Sequence, residues 1–445
     1  MAVKNKTRIF IECTQTFFHG GNSGIQRVVR NLANHGPAFS GRDFDVYPLL
    51  WTGFGFSIPS RKIKIRPYFM IRLKKSIESL VESSGSYLPD FCRRIIIRLV
   101  KLLFSPEQRK RIRDLPFSLM ALATIPAKLI IGRFISFRAG DIVVLVDSTW
   151  RSTAMLEALF KVQFGRGVIL GAMVHDLFPL LMPEHCQEVT VKGFSAWFAQ
   201  IVPRMDFFVT NSEATRKDLN DYLQKHPELR PHFFAGGSFR LGAELDSISE
   251  QKKISRYLQP LWDTPGKAIL TIGTIEPRKN HLLLLDAYDL LRSKDADISL
   301  IIIGRPGWKN REVIDRIRGH ADFGTRLLHL DNASDRDLSE AIERADCLVC
   351  PSLAEGFGLP VVEGLMHGLT VFASDIPVFR ESGEGFCRFF KLDSPDELVL
   401  LLEEWQGHWL SANDFGEQQK FSWPDWREST REFVNLSLAL AEKSQ

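Results

Sequence analysis

Arg278 and Lys279 stand side by side in the run Glu276-Pro277-Arg278-Lys279-Asn280, which follows an apolar stretch ending at Gly273. Adjacent cations at the carboxyl end of a strand, just ahead of a helix, suit the charge of a phosphate group. A second apolar stretch ends at Ser352 and is followed by Glu355-Gly356-Phe357-Gly358-Leu359-Pro360, leading into an apolar helix that carries Glu363. Gly356 and Gly358 let backbone amides approach a ligand closely, Pro360 fits a first helical turn, and the helix offers the positive end of its dipole. Carboxylates repel phosphate, so beside such a site Glu355 and Glu363 suit the hydroxyls of a sugar on either side of it.

The elements that must position these groups are legible as an alternation of short apolar runs and amphipathic stretches. Ala268–Thr274, Ser299–Gly304, Leu327–Asp331, Cys347–Ser352 and Thr370–Ser374 read as buried parallel strands. His281–Leu291 and Asp335–Ala345 read as helices between them, the latter with Asp335 and Asp337 in its first turn to complement the dipole. This is one Rossmann-like unit. The first half repeats the pattern more loosely, with strands at Arg8–Cys13, Asp141–Val146, Val168–His175 and Asp206–Asn211. His175 and Asp176 end the third of these. Cys347 and Cys350 have a redox or zinc spacing, but within a strand residues three apart face opposite sides, so both read as buried apolar side chains.

The run EPRKN followed by EGFGLPVVE resembles the donor site of the family 4 retaining glycosyltransferases. That resemblance is strong from Leu270 to about Asp375 and weak in the first half, where it rests on Gly20, Gly21 and Gly24 and on Val174–Pro183. It implies an α/β chain of the GT-B fold, two facing Rossmann-like domains with a cleft between the carboxyl ends of their strands. It implies that Arg278 and Lys279 hold the donor diphosphate, that Glu355 contacts the transferred sugar, and that Glu363 contacts the ribose. The amides of Gly356, Phe357, Gly358 and Leu359, with Gly273 beneath, would complete the phosphate cradle, and Gly24 would reach it from the other domain. His175 and Asp176 occupy the place of residues that orient sugar or acceptor. One departure is Thr274, where some members have an arginine after the strand glycine. The run HDLFPLLMPE resembles mannosyl- and rhamnosyl-transferring members, so a GDP-sugar such as GDP-mannose is the expected donor. The resemblance implies transfer by front-face attack, with no enzyme nucleophile, no metal and no cofactor. UDP- or dTDP-sugar transfer on the same fold, a nucleotide-sugar epimerase, a phosphorylase and a non-catalytic module are the alternatives.

Composition bounds the rest. A chain of 445 residues, 44% hydrophobic and 25% charged, is expected to form two globular domains. We place them at 1–243 for the acceptor and 266–422 for the nucleotide-sugar donor, with a terminal helix in 423–445, reading from Trp423 to Leu440 and packing back on the first domain. The formal charge of +4 conceals a segment, 61–138, with eighteen basic and five acidic residues. Strand signals vanish between Trp51 and Gly140, and Arg93–Phe104 and Leu119–Phe137 read as inserted basic helices. Such helices suit an anionic membrane surface better than nucleic acid, for which no reading motif is present. Six scattered cysteines and no apolar leader predict a cytoplasmic, peripheral protein at the inner face of the cytoplasmic membrane. The expected partners are a nucleotide-sugar and a glycan or lipid-linked glycan acceptor.

Overall fold

A computed structural model describes residues 6–53, 55–64, 132–150, 152–229, 235–244, 258–407 and 421–444. Two sheets dominate. The first has eight strands in the order β4-β3-β2-β1-β5-β6-β7-β8, with β1 Thr7–Glu12, β2 Phe44–Trp51, β3 Phe56–Pro59, β4 Gly132–Phe134, β5 Ile142–Leu145, β6 Ile169–Val174, β7 Phe207–Thr210 and β8 Ala235–Ser238. The second has six in the order β11-β10-β9-β12-β13-β14, with β9 Lys267–Ile272, β10 Ile298–Ile303, β11 Leu327–Leu330, β12 Cys347–Cys350, β13 Thr370–Ser374 and β14 Cys387–Phe390. All pairings are parallel except β2 with β3 and β3 with β4.

Those two exceptions correct the sequence reading. Strands β3 and β4 lie between Trp51 and Gly140, where none was expected, and the helix expected over Leu119–Phe137 is extended backbone at its end, with Gly132 opposite Pro59. The physical reason is that short antiparallel edge strands take their stability from a neighbour's ladder rather than from their own apolar pattern. Arg93–Phe104 and all of 65–131 lie outside the described residues.

Helices α1 Thr14–His19, α2 Gly24–His35, α3 Thr153–Arg166, α4 Phe178–Leu181, α5 Glu188–Ile201 and α6 Glu213–Lys225 surround the first sheet. Around the second lie α7 Gln259–Trp262, α8 His281–Ser293, α9 Arg311–Gly319, α10 Asp335–Arg344, α11 Leu359–Met366, α12 Pro377–Gly383 and α13 Asp396–Gly407. Helix α14, Trp426–Lys443, returns to the first sheet, where Phe433, Val434, Leu440 and Ala441 share a core with Val28, Leu32, Phe207 and Phe239. Its entry is fixed by Asp425, whose carboxylate accepts the Glu428 amide at 2.6 Å. Cys347 faces one core of the second sheet and Cys350 the other, as strand alternation requires.

In each sheet the strand order reverses at one point, between β1 and β5 and between β9 and β12. Loops diverge there at the carboxyl ends of the strands and leave a crevice, the usual ligand position in open α/β sheets. The loops after β9 and β12 are those that carry Arg278-Lys279 and Glu355–Gly358.

Candidate active site

The loop after β9 closes into a single 3-10 turn, Pro277–Lys279, and Asn280 then takes the left-handed conformation, φ 51°, that swings the chain into α8. Lys279 lies back over the strand end. A Cβ added to Gly273 would sit 3.3 Å from the Lys279 ammonium, so glycine leaves the amine its room.

Three acids converge on the two cations. Glu355 accepts hydrogen bonds from the Arg278 Nη1 at 2.8 Å, from the Ser352 hydroxyl at 2.8 Å and from the Lys279 ammonium. Arg278 pairs through Nη2 with Glu276 at 2.6 Å and donates to the Ala354 carbonyl at 3.1 Å, with its guanidinium 4.7 Å from the Phe178 ring centre. Burial pushes the Glu355 carboxyl up, but Lys279 and Arg278 overrule it and hold the group down at about 2. Burial wins at Glu276 and at Asp176, both raised even though Arg278 pulls them the other way. The sequence pictured the cations as free for a phosphate and the acids as turned to hydroxyls. The structure brings them together and pairs them, because cations buried at this depth require counter-charges.

The glycines make a seam between the domains. A Cβ on Gly356 would lie 2.0 Å from the His175 carbonyl oxygen, and the Gly356 carbonyl accepts from the hydroxyls of Ser212 at 2.6 Å and Thr215 at 2.9 Å. Gly358, at φ 86°, caps α11 without a side-chain bond, and a Cβ there would be 2.4 Å from the Phe379 ring. Phe357 turns into the first domain's core beside Trp423, and Leu359 packs against that core. Glu363, 3% exposed, is engaged by Arg27 of α2. Gly24 opens α2 with open space about its α-carbon, next to a capping box formed by Ser23 and Gln26.

On the facing wall, His175 Nε2 lies 2.7 Å from the Val146 carbonyl, and burial lowers its pKa to about 4, so it is neutral at physiological pH. Its own carbonyl accepts from the Asn211 side chain at 3.0 Å. Asp176 accepts from the Phe178 amide at 3.4 Å, bracing the turn into α4. The domains also meet where the Glu381 carboxylate accepts the first amides of α6, Glu213 at 2.7 Å and Ala214 at 2.9 Å, and where Trp308 donates to the His185 carbonyl at 2.7 Å.

At the first sheet's own reversal point, Glu12 and Asp147 are both buried. Glu12 accepts from the Thr14 amide at 2.8 Å, and Asp147 accepts from the amides of Thr16 at 2.5 Å and Ser148 at 2.8 Å, so the pair holds α1 in place. Burial, then the neighbouring Asp147, pushes Glu12 up to about 8.

Sequence reasoning gave no role to Arg27, Ser212, Thr215, Asn211 or Ser352. For Arg27 a signal exists: with Arg30 and Asn31 it lies among Val28, Val29 and Leu32 on the buried part of α2, where a charge needs a partner. Among the described residues no group of three or more His, Cys, Asp or Glu is arranged to hold a metal ion, and no helix is long and apolar enough to cross a membrane.

Residues 258–420 match the family described as glycosyl transferases group 1. The second half is a glycosyltransferase domain. This chain is 27% identical over 308 residues to the serotype-specific mannosyltransferase WbdA of Escherichia coli, a match covering 68% of the chain and 38% of that protein. It thus spans well under half the length of such relatives. It is 38% identical over 116 residues to the O-antigen chain mannosyltransferase B of Escherichia coli, covering 25% of this chain and 29% of that one. The sucrose-phosphate synthase of Thermosynechococcus elongatus superposes over 98% of both chains with a TM-score of 0.55 at 14% identity, a likeness of fold. The fold is GT-B, two Rossmann-like domains across a cleft, and the relatives of this glycosyltransferase domain include mannosyl-transferring enzymes.

Proposed function

We propose that this chain is a retaining glycosyltransferase that moves mannose or a deoxy relative from a GDP-sugar onto a glycan or lipid-linked glycan acceptor. The observation that carries the reading is the convergence of Arg278, Lys279 and Glu355 at the reversal point of the second sheet, with Asp176 of the other domain close enough to feel both Arg278 and Glu355, and with Glu363 on the helix that follows the Glu355 loop. Arg278 and Lys279, held by Glu355 and Glu276, are preset for the diphosphate, whose oxygens take over part of their bonding. The uncapped amides at the start of α11 add donors to the same phosphates. Glu363 accepts from the ribose and Glu355 from the sugar. The bond from the anomeric carbon to the phosphate oxygen breaks, the acceptor oxygen bonds that carbon from the same face, and its proton passes to the leaving phosphate. Neutral His175 and Asp176 orient the sugar and the incoming hydroxyl. The mannosyl preference is supported by the names of the relatives. An acceptor at an anionic membrane surface is supported by the charge of segment 61–138.

The test is a purified transfer assay with Lys279→Ala and Glu363→Ala, alongside a thermal-shift panel of GDP, UDP, dTDP and ADP. Removal of a preorganised donor such as Lys279 costs on the order of 100- to 1,000-fold in turnover. A nucleotide at one hundred times its Kd adds about 2.7 kcal/mol of stability. Full turnover by Lys279→Ala refutes the assignment, and a larger shift with UDP than with GDP refutes the donor.

A further inference from the structure

We propose that Arg27 is a positioning residue of the donor site: it fixes the Glu363 carboxylate for the ribose hydroxyls and ties that contact to the hinge between the domains. The inference rests on the donor reading above and assigns a role to a residue of the opposite domain. Arg27 lies one turn into α2 and is buried. Its Nη1 donates to Glu363 Oε1, across the domain boundary. Its Nη2 donates to the carbonyls of Ala243, at 3.2 Å, and Glu244, where the first crossing of the chain begins. The guanidinium carbon lies 5.9 Å from the ring centre of Trp426, and the Trp426 indole donates to the same Glu244 carbonyl at 3.1 Å, where the chain has crossed back.

One guanidinium therefore joins four places: the helix after the glycine loop, the donor-domain helix α11, and the ends of both crossings. An ion pair serving only to glue two surfaces needs no bond to the crossings. Arg27 engages Glu363 through Oε1, which leaves Oε2 to accept from a ribose hydroxyl. Arg27 Nε remains a buried donor without a hydrogen-bond partner among the described residues. A guanidinium fork fixes direction in a way that an ammonium cannot, so the position calls for arginine rather than any cation.

The experiment compares wild type, Arg27→Met and Arg27→Lys by calorimetric titration with GDP, with UDP, with the 2′,3′-dideoxy form of each, and with inorganic pyrophosphate. Wild type is expected to bind the better parent nucleotide about 10- to 100-fold more tightly than its dideoxy form, the worth of hydrogen bonds to a charged group. Arg27→Met is expected to lose that discrimination, to less than about 3-fold, while its pyrophosphate affinity stays within about 2-fold of wild type. Arg27→Lys is expected to fall between the two, and it carries the same comparison if Arg27→Met does not fold. Discrimination retained in the Arg27 variants overturns the inference and leaves the donor reading standing. Loss of pyrophosphate binding in step with nucleotide binding shows a merely structural role and also overturns it. Absence of nucleotide binding by wild type refutes the donor reading itself.

Discussion

Gly356→Ala places a single methyl group against the opposite domain. The added Cβ would stand 2.0 Å from the His175 carbonyl oxygen, a distance that carbon and oxygen do not share without contact, so the seam must open by more than 1 Å. Gly356 is not at positive φ, and the backbone itself tolerates alanine; the effect is confined to the approach of the two domains. Opening stretches the bonds from Ser212 at 2.6 Å and Thr215 at 2.9 Å to the Gly356 carbonyl, each worth about 1 kcal/mol net. Loosening the Glu381 contact with the first amides of α6 adds up to about another 1 kcal/mol. The closed form is then disfavoured by about 2 to 3 kcal/mol, or roughly 30- to 150-fold in kcat/KM for a reaction that needs both walls. Steady-state transfer kinetics give that ratio, and small-angle X-ray scattering reports whether the variant is more open. Gly193→Ala, on α5 with nothing within 4 Å of its added methyl, is the control and is expected to leave both unchanged. Transfer by Gly356→Ala within about 3-fold of wild type, with unchanged scattering, would refute the claim that this seam governs closure.

Two further predictions concern pH. The folded-state pKa of Glu355 lies near 2, below the ordinary 4.5, so its pairing supports the fold fully above about pH 4.5 and is lost as the pH falls toward 2; Glu355→Gln is expected to flatten that acid limb in urea unfolding midpoints measured from pH 7 down to 3. Glu12 is raised, so the sign reverses: its protonated form supports the fold below about pH 4.5, and that support drains away as the pH climbs through about 8. Glu12→Gln is therefore expected to gain on wild type between pH 5 and 9, and an equal slope in the two proteins would show that Glu12 does not titrate there.

Five of the six strands of the second sheet were legible almost to their ends because parallel strands buried on both faces are unbroken apolar runs, as in Ile298–Ile303; the edge strand β14, Cys-Arg-Phe-Phe and buried only at its two ends, was not read. In the first sheet the pattern fails where pairing replaces burial. Strand β8 is Ala-Gly-Gly-Ser, β4 is Gly-Arg-Phe, and β2 carries Pro48 in its midst, none of which has an apolar period to read. The site divides the same way. Strand-end positions in the sequence brought the loop of Arg278 and Lys279 next to that of Glu355, since the two loops leave the adjacent strands β9 and β12. The attachment of Glu355 to the cations and of Glu363 to Arg27 depends on depth and on how two domains face each other, which no local pattern encodes.

The docking of helix α14 on the first sheet has a consequence for synthesis. The N-terminal layer lacks Phe433, Val434 and Leu440 until the second sheet has left the ribosome, whereas the strands of that sheet and Phe421, which packs on its core, have emerged before them. At roughly 5 to 20 residues per second, the earlier-made half waits on the order of 10 to 40 s for its last piece. The half translated second is thus the first that has all its parts, and maturation runs opposite to the direction of translation.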